Sequence, residues 1–363
     1  MKKILMVSCD GLGNGGVQTV MMQIVRSLKK EYIFDALLFT NEVRYFDEEF
    51  LSYGGKIFRM PRYAKSNPIM ARVDVYFKYF ILYGKLKKLF RKNRYDVVHC
   101  HNAYEAAICV KVAKKVGIKV RISHQHTEYK ANNVFDKILN KIYKRILLKN
   151  ATHLIGASES ACISYFGEAV AFEVVNNPYN EEKFVYTQGI DLDNPIICQV
   201  GNFSDNKNQK FTIEVFENII KTYPDSKLHL LGNGSNEYSK QIEIYIEKNH
   251  LENKVFLYPS DEDVYSVVNK ANIFIMPSLR EGFGIVLIEA QAVGLNCYAS
   301  DTIPKLTDVG GCTYLSLDKG AEYWAQRIIE DFKDGKIVRT KYDTENFTTK
   351  KVCERYKQMY GGN

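Results

Sequence analysis

Two glutamates flank a glycine-rich segment in the second half of the chain. Glu281 stands directly before Gly282, Phe283 and Gly284, and Glu289 follows within the next apolar run. Carboxylates accept hydrogen bonds from hydroxyl groups, and N–H groups at the start of a helix bind phosphate. The combination indicates a site for a ligand that contains both phosphate and hydroxyl groups, as a sugar nucleotide does.

The elements around this segment are typical of a parallel sheet. The apolar run 271–276 predicts a buried strand, and the run that follows Gly284 predicts a helix. In an α/β sheet, the turn after a strand lies at the carboxyl edge, where ligands bind. We therefore expect the N–H groups of Gly282, Phe283 and Gly284 to open a helix whose partial positive charge suits a phosphate.

The same alternation of strands and helices extends along the whole chain. The strands predicted for the first half cover residues 4–9, 34–40, 56–59, 97–100, 120–123 and 153–157. Those predicted for the second half cover residues 196–200, 227–231, 254–257, 273–276 and 297–300. This order predicts an α/β protein with two doubly wound parallel sheets. We assign the sheets to domains 1–180 and 181–345, and we expect a final helix within residues 346–363.

The composition narrows the class of protein. Of the 363 residues, 46% are hydrophobic and 25% are charged, as is usual for a globular protein in solution. No apolar run reaches the ~18–20 residues that a membrane-spanning helix needs. The eight cysteines include no C-x-x-C pair, which indicates buried, reduced thiols in a cytoplasmic protein.

Basic residues are concentrated in the first half. Residues 1–185 contain 30 Lys and Arg against 17 Asp and Glu, whereas acidic residues prevail in the remainder. Such asymmetry indicates that the first half faces an anionic partner. No recognisable nucleic-acid-binding module accompanies the basic residues, so we expect no DNA or RNA partner. The basic helices over 85–92 and 137–149 are either solvated faces or a peripheral contact with anionic lipid at the inner face of the plasma membrane.

Two further patterns fit more than one kind of site. Residues 11–16 match G-x-G-x-x-G, which is typical of dinucleotide binding, although glycine suits any close approach to a ligand.

Two His-x-His pairs, His99 with His101 and His124 with His126, end predicted strands, and alternation places each pair on one face. Four imidazoles allow a metal site, but no acidic or cysteine ligand lies nearby at helical spacing. Packed, hydrogen-bonded histidines are the alternative, and we assign no metal.

The segment from Glu281 to Glu289 and the strand before it closely resemble the E-x7-E motif of retaining glycosyltransferases. The similarity is to the family 4, group 1 type, which has the GT-B fold, and it extends over most of the chain. The resemblance implies two Rossmann-like domains that face a cleft, with the C-terminal helix crossing back to the first domain. It also implies that the first domain binds the acceptor and the second binds the donor.

The resemblance further implies roles for individual residues. Glu281 and His126 are expected at the transferred sugar, with His124 as the alternative to His126, and Glu289 is expected on the ribose. The other donor-binding residues that it implies are Gly15, Gly16, Asn202, Lys207, Gly234, Gly282, Phe283 and Gly284. Asn202 departs from the pattern, because relatives have an arginine there that binds the diphosphate, and an amide supplies no charge.

Together these roles predict transfer of a sugar from a nucleotide diphosphate, with UDP expected, to a lipid-linked saccharide. The resemblance implies synthesis of a bacterial capsule, exopolysaccharide or O-antigen, with retained configuration and without a metal or cofactor. Three alternatives stay open. An epimerase of the same fold would convert the donor without an acceptor, and a nicotinamide-dependent oxidoreductase would bind its cofactor at residues 11–16. A non-catalytic subunit that binds sugar nucleotides would fit the missing arginine at Asn202.

Overall fold

The computed structural model describes residues 1–60, 71–101, 105–129, 134–188, 193–232, 234, 236–259 and 262–361. The chain forms two compact units, each built on one sheet. The first unit comprises Met1–Pro178 and Thr349–Asn363, and the second comprises Tyr179–Thr348. The chain therefore leaves the first unit, forms the second, and returns to the first for its last helix.

The first unit alternates strands and helices. Its elements before the second unit are β1 (Lys2–Ser8), α1 (Gly16–Leu28), β2 (Tyr32–Leu38), α2 (Asp47–Ser52), β3 (Ile57–Arg59), α3 (Ala71–Asn93), β4 (Val97–His101), α4 (Glu105–Lys115), β5 (Val120–Gln125), α5 (Val134–Asn150), β6 (His153–Gly156), α6 (Glu159–Phe166) and β7 (Glu173–Val174). The strands pair in parallel in the order β3-β2-β1-β4-β5-β6-β7.

The second unit repeats the pattern on a smaller sheet. Its elements are β8 (Ile196–Val200), α7 (Gln209–Ile219), β9 (Lys227–Leu231), α8 (Glu237–Lys248), β10 (Val255–Tyr258), α9 (Val264–Val268), β11 (Ile273–Met276), α10 (Ile285–Val293), β12 (Asn296–Ser300), β13 (Cys312–Leu315) and α11 (Gly320–Lys333). Short 3-10 turns cover Lys305–Thr307, Leu317–Lys319 and Glu345–Phe347. The strands are parallel in the order β10-β9-β8-β11-β12-β13.

The predicted fold class, two doubly wound parallel sheets, is confirmed. The sequence did not predict β7 and β13, which lie at the ends of their sheets. Three of the four residues of β13 are only partly buried, so the strand lacks the continuous apolar run that marks a central parallel strand. The central strands β1 and β11 show that run clearly, because helices cover both of their faces.

In each sheet the strand order reverses at one place, between β1 and β4 in the first unit and between β8 and β11 in the second. At such a switch point the two connections leave in opposite directions, and ligands bind outside the carboxyl ends of the strands. The loops that follow these four strands are therefore the first places to look for a site.

A separate apolar core supports each sheet. In the first unit, Leu5 and Val98 of neighbouring strands pack with Phe90 of α3. In the second unit, Ile275 of β11 belongs to a core that includes Trp324, whose indole N–H donates to the Ser316 carbonyl at 2.9 Å. Each sheet thus has its own buried support, which fixes the loops at its carboxyl edge.

The last helix, α12 (Thr349–Gly361), packs in the first unit. The side chains of Tyr356 and Tyr360 are fully buried there. Lys357 forms an ion pair with Glu31, and Arg355 forms one with Glu173. The aromatic side of the helix therefore contributes to the core, and its charged side is tied to the surface of the same unit.

Candidate functional site

Hydrogen bonds join the two loops at the switch point of the second sheet. One loop follows β8 and the other follows β11, and these strands pair in parallel. The Leu279 N–H donates to the Asn206 carbonyl at 2.8 Å, and the Asn206 side-chain amide donates to the Arg280 carbonyl at 2.9 Å. The Asn208 amide makes a longer bond, 3.4 Å, to the carbonyl of Pro277. The two loops are therefore fixed relative to each other.

These bonds bring Lys207 beside Glu281. Nζ of Lys207 lies 2.5 Å from Oε1 of Glu281, and the two side chains are 22% and 12% exposed. The backbone at this point is fixed as well, because the buried Gln199 donates from its amide to the Lys207 carbonyl at 2.6 Å. The structure thus brings together a cation and a carboxylate that the sequence places 74 residues apart.

The helix that follows the second loop begins directly after Gly284, as its apolar run predicts. Gly284 is the N-cap of α10, with φ +81° and ψ 48°, a left-handed conformation that glycine adopts without strain. The first residue of the helix is Ile285, so the N–H groups of Gly282 and Phe283 lie in the preceding turn rather than opening the helix. The ring of Phe283 is buried, with its centroid 6.0 Å from that of Phe347. The positive end of the helix still lies beside the loop of Glu281.

Glu289 lies on the buried side of α10. Only 7% of the residue is exposed, and it makes no hydrogen bond or ion pair with any residue that the structure describes. Burial raises the pKa of its carboxyl group to about 8, and the charge of Lys183 opposes the shift. Lys183 itself pairs with Asp263 at 2.6 Å. A buried carboxyl group without a partner is costly, which makes Glu289 a candidate for contact with a ligand.

The loops after β8 and β9 approach each other closely. A Cβ added to Gly232 would lie 2.1 Å from the carbonyl oxygen of Gly201, so no other residue fits there without movement of the backbone. Asn202 follows Gly201 and is exposed. Gly234 lies two residues beyond Gly232, and its carbonyl accepts a hydrogen bond from the Ser239 hydroxyl. Both predicted residues, Asn202 and Gly234, therefore belong to the same carboxyl edge as Lys207.

In the first unit, Gly15 and Gly16 form the start of α1. Gly15 is the N-cap with an extended backbone, and Gly16 is the first helical residue. A Cβ on Gly16 would meet no atom of the described residues within 4 Å, and Gly16 itself is exposed. The loop follows β1 and lies at the switch point of the first sheet.

His126 follows β5 and belongs to a group of four buried histidines. Its Nε2 lies 2.9 Å from Nδ1 of His101, and Nδ1 of His124 lies 3.2 Å from Nε2 of His99. Burial lowers the pKa of His126 to about 4, although a hydrogen bond with Asn177 opposes the shift. His126 is therefore neutral at pH 7. The sequence allows the four imidazoles to form one group, and the pairing of β4 with β5 brings the two His-x-His pairs into contact.

Two cavities lie at the opposite edges of the sheets. One of about 850 Å³ in the first unit is bounded by Lys2 and Lys119, and one of about 920 Å³ in the second is bounded by Lys227 and Asn272. These residues stand at the amino ends of their strands, away from the switch-point loops. Neither cavity contains a predicted site residue, so neither is the candidate site.

Several residues position the site without having been predicted. Gln199 and Asn206 hold the loop of Lys207, and the amide of Gln209 donates to the Gly201 carbonyl at 3.0 Å. Such side chains act on backbone groups of nearby loops and need no particular spacing along the chain. The only available signal was their polar character beside predicted strands and turns.

Two family models match the chain, one in each unit. The model described as Glycosyltransferase Family 4 matches residues 14–166, and the model described as Glycosyl transferases group 1 matches residues 180–341. Every predicted site residue falls within one of the two matches.

Known proteins are similar over long stretches. The putative glycosyltransferase EpsF of Bacillus subtilis (strain 168) is 29% identical over 358 residues, which cover 93% of this chain and 90% of EpsF. The UDP-Gal:alpha-D-GlcNAc-diphosphoundecaprenol alpha-1,3-galactosyltransferase of Escherichia coli is 24% identical over 239 residues, 60% of each chain. HepE of Anabaena, solved in complex with UDP, matches the full length of both chains with a TM-score of 0.77 at 14% identity. The match to HepE shows a common fold.

Proposed function

Because this chain belongs to the group 1 and family 4 glycosyltransferases with the GT-B fold, we propose that its donor is a UDP-sugar. We further propose that it transfers a hexose, with retained anomeric configuration, to a lipid-linked saccharide in bacterial polysaccharide synthesis. The UDP complex of HepE and the name of the galactosyltransferase from Escherichia coli support these choices of donor and acceptor.

The ion pair between Lys207 and Glu281 is the observation on which the proposal rests. A diphosphate that enters this edge meets the ammonium group of Lys207 and the positive end of α10. Once the phosphate takes over Lys207, the carboxylate of Glu281 is released to accept hydrogen bonds from the sugar hydroxyls. Fixed positive groups at the leaving phosphate stabilise the charge that develops there, so the proposed reaction needs no metal at the diphosphate.

The nucleoside end of the donor is assigned to Glu289. Its carboxyl group is buried and has no partner among the described residues, and ribose offers two neighbouring hydroxyls as donors. Hydrogen bonds from these hydroxyls favour the ionised carboxylate and compensate for part of the cost of its burial. Glu281 and Glu289 thus bind different parts of one ligand and are not a pair of catalytic carboxylates across a glycosidic bond.

In the proposed reaction, an acceptor hydroxyl attacks the anomeric carbon on the face that the diphosphate leaves. The bond from the anomeric carbon to the phosphate oxygen breaks, and its electron pair goes to UDP. The new bond forms from the acceptor oxygen, whose proton passes to an oxygen of the leaving phosphate. His126 is neutral and is suited to bind a sugar hydroxyl near the developing positive charge, without acting as a nucleophile.

We place the lipid-linked acceptor in the first unit, at the inner face of the plasma membrane. Within the part of the chain that the structure describes, no helix is both long and apolar enough to cross a bilayer. Helix α5 instead exposes an apolar row, Val134, Ile138 and Ile142, beside the basic row of Lys137, Lys141 and Arg145. The exposure of Ile138 and Ile142 supports peripheral contact with anionic lipid rather than a merely solvated helix.

The proposal is tested by incubating the purified chain with UDP-glucose, UDP-galactose, UDP-N-acetylglucosamine and GDP-mannose, with and without a polyprenyl-diphosphate-linked sugar. We expect transfer from one UDP-sugar, an α-linked product by NMR, and no requirement for an added divalent metal. Glu281→Ala and His126→Ala should abolish transfer, whereas Glu252→Ala at an exposed position should not. Conversion of the donor without an acceptor would instead indicate an epimerase, and NADH binding would indicate an oxidoreductase.

A further inference from the structure

Four histidines of the first unit form a compact cluster on two neighbouring strands. His99 and His101 of β4, together with His124 and His126 at the end of β5, are 0–3% exposed. The rings of His99 and His101 stack with centroids 4.2 Å apart, and those of His124 and His126 lie 3.9 Å apart. The hydrogen bonds found for His99, His101 and His124 within the described residues join them to other histidines of the cluster and to Tyr360, and none is with a carboxylate. Buried polar atoms are normally paired, so such a group is unusual in a core.

The hydrogen bonds of the cluster leave ring nitrogens available. Nδ1 of His99 lies 2.8 Å from the Tyr360 hydroxyl, and Nδ1 of His101 lies 2.9 Å from Nε2 of His126. The Nε2 atoms of His101 and His124 are buried and have no hydrogen-bond partner in the part of the chain that the structure describes. One ring nitrogen from each of His99, His101 and His124 lies within 4.8 Å of the other two.

We propose that His99, His101 and His124 bind a zinc ion. Imidazole nitrogen is a preferred ligand for zinc, and three histidines are a known ligand set that leaves a fourth position open. Neutral imidazole is the form that binds metal, and an unperturbed imidazole is already mostly neutral at pH 7. Both nitrogens of His99 are hydrogen-bonded, so zinc would replace the contact of 3.2 Å between Nε2 of His99 and Nδ1 of His124, with small movements of the rings.

The contacts around the proposed zinc ion fit the way that metal-binding histidines are usually held. A ligating imidazole commonly donates its second N–H to a nearby oxygen or nitrogen, which fixes the ring and its tautomer. Tyr360 of α12 offers such an acceptor to His99. His101, bound to zinc through Nε2, would donate from Nδ1 to Nε2 of His126. His126 would then accept at Nε2 and carry its own proton on Nδ1. The zinc site does not depend on the proposed function.

The test uses the full chain, unfolded in denaturant with EDTA and refolded with Zn²⁺ or Co²⁺ before passage over a chelating resin. We expect about one tightly bound metal per chain by mass spectrometry, and intense visible absorption of a four-coordinate Co²⁺ ion with nitrogen ligands. His101→Gln and His124→Gln should each lower the metal content to about a tenth or less. His250→Asn, at an exposed left-handed position that asparagine also adopts, should leave it unchanged.

Three results would overturn the zinc site. The first is that the refolded parent protein contains far less than one metal ion per chain. The second is that its Co²⁺ spectrum lacks intense visible bands. The third is that His250→Asn loses as much metal as His101→Gln and His124→Gln do. Circular dichroism identifies any variant that fails to fold, and the Co²⁺ spectrum of the parent chain then decides alone. If zinc binds but no UDP-sugar is transferred, the proposed function fails while the zinc site stands.

Discussion

Nζ of Lys207 lies 2.5 Å from Oε1 of Glu281, so the cation proposed for the diphosphate is paired with the carboxylate proposed for the sugar. The pair forms because β8 and β11 are neighbours at the switch point and their loops are bonded through Asn206. A donor must replace this ion pair with its own phosphate and hydroxyl groups. The pair therefore holds both side chains in place before the donor binds.

Lys207→Met should lower kcat/KM for transfer by about 10²–10³-fold, because one fixed positive charge at the leaving phosphate is lost. Methionine keeps much of the apolar stem, so the free energy of unfolding should change little. Initial rates at varied UDP-sugar concentration measure the effect. Lys210→Met, at a more exposed lysine near the start of α7, is the matched control. A parent-like rate in Lys207→Met would show that Lys207 is an ordinary loop lysine.

Asn202→Arg should tighten UDP binding about tenfold or more, because a charged hydrogen-bond donor is placed where similar enzymes have one. Isothermal titration at fixed ionic strength measures the change, and Asn202→Gln controls for the longer side chain without charge. If the arginine variant binds UDP no better than the glutamine variant, Asn202 does not face the diphosphate.

Glu289→Gln should make the free energy of unfolding less dependent on pH than it is in the parent chain, which loses stability as the pH rises. Burial raises the pKa of Glu289 from 4.5 to about 8, so the folded chain keeps a proton that the unfolded chain loses. The free energy of unfolding of the parent therefore falls as the pH rises from about 4.5 to about 8. Below about pH 4.5 Glu289 is protonated in both the folded and the unfolded chain, and above about pH 8 it is ionised in both. Glutamine cannot ionise, so the variant lacks this fall.

Urea unfolding of both chains at pH 5, 7 and 8.5, without nucleotide, tests the prediction for Glu289. The stability of Glu289→Gln relative to the parent should increase by roughly 2–5 kcal/mol over this range. Glu252→Gln, at an exposed residue, should show no such trend. A difference that stays constant with pH would contradict the raised pKa.

Gly232→Ala should destabilise the second unit, because its Cβ would lie 2.1 Å from the Gly201 carbonyl oxygen. Backbone must move to relieve the contact, and we expect a cost of about 1–3 kcal/mol together with weaker UDP binding. Gly234→Ala in the same loop is the control, since its Cβ would make an ordinary contact 3.5 Å from Ser239. Equal melting temperatures of the two variants would contradict the prediction.

Replacing both Ile138 and Ile142 by serine should weaken binding to vesicles that contain phosphatidylglycerol. The two side chains are 54% and 43% exposed, so the folded state should tolerate the change.

Replacing both Lys137 and Lys141 by glutamine should lower the affinity for the same vesicles about tenfold or more, at ~1 kcal/mol per basic residue, and should reduce the dependence of binding on salt. Ile244→Ser, at an exposed position of the second unit, is the control in sedimentation assays. Equal binding to phosphatidylcholine vesicles would argue against recognition of anionic lipid.

The sequence predicted the fold well where an apolar run is short, continuous and bounded by turns. β8 and β9 match the predicted residues 196–200 and 227–231 at both ends. β13 was missed because most of its residues are only partly buried. The N–H groups of Gly282 and Phe283 do not open α10 as expected, because Gly284 adopts a left-handed conformation that the sequence does not reveal.

The sequence predicted the residues of the candidate site better than the contacts between them. Spacing identified Glu281 and Glu289, since both lie in one strand–turn–helix segment. The contact between Lys207 and Glu281 depends instead on which strands are neighbours, and the order of elements along the chain does not state that β8 lies next to β11. The bonds between the two histidine pairs depend in the same way on the pairing of β4 with β5.

The return of α12 to the first unit has a consequence for synthesis on the ribosome. Tyr356 and Tyr360 complete the core of a unit whose other residues emerge early, because Tyr179–Thr348 must be translated in between. Until α12 leaves the exit tunnel, the nascent amino-terminal sheet lacks its aromatic cover, whereas the sequence of the second unit has already been translated. The two halves are thus expected to reach their final form in the reverse of the order in which they are made.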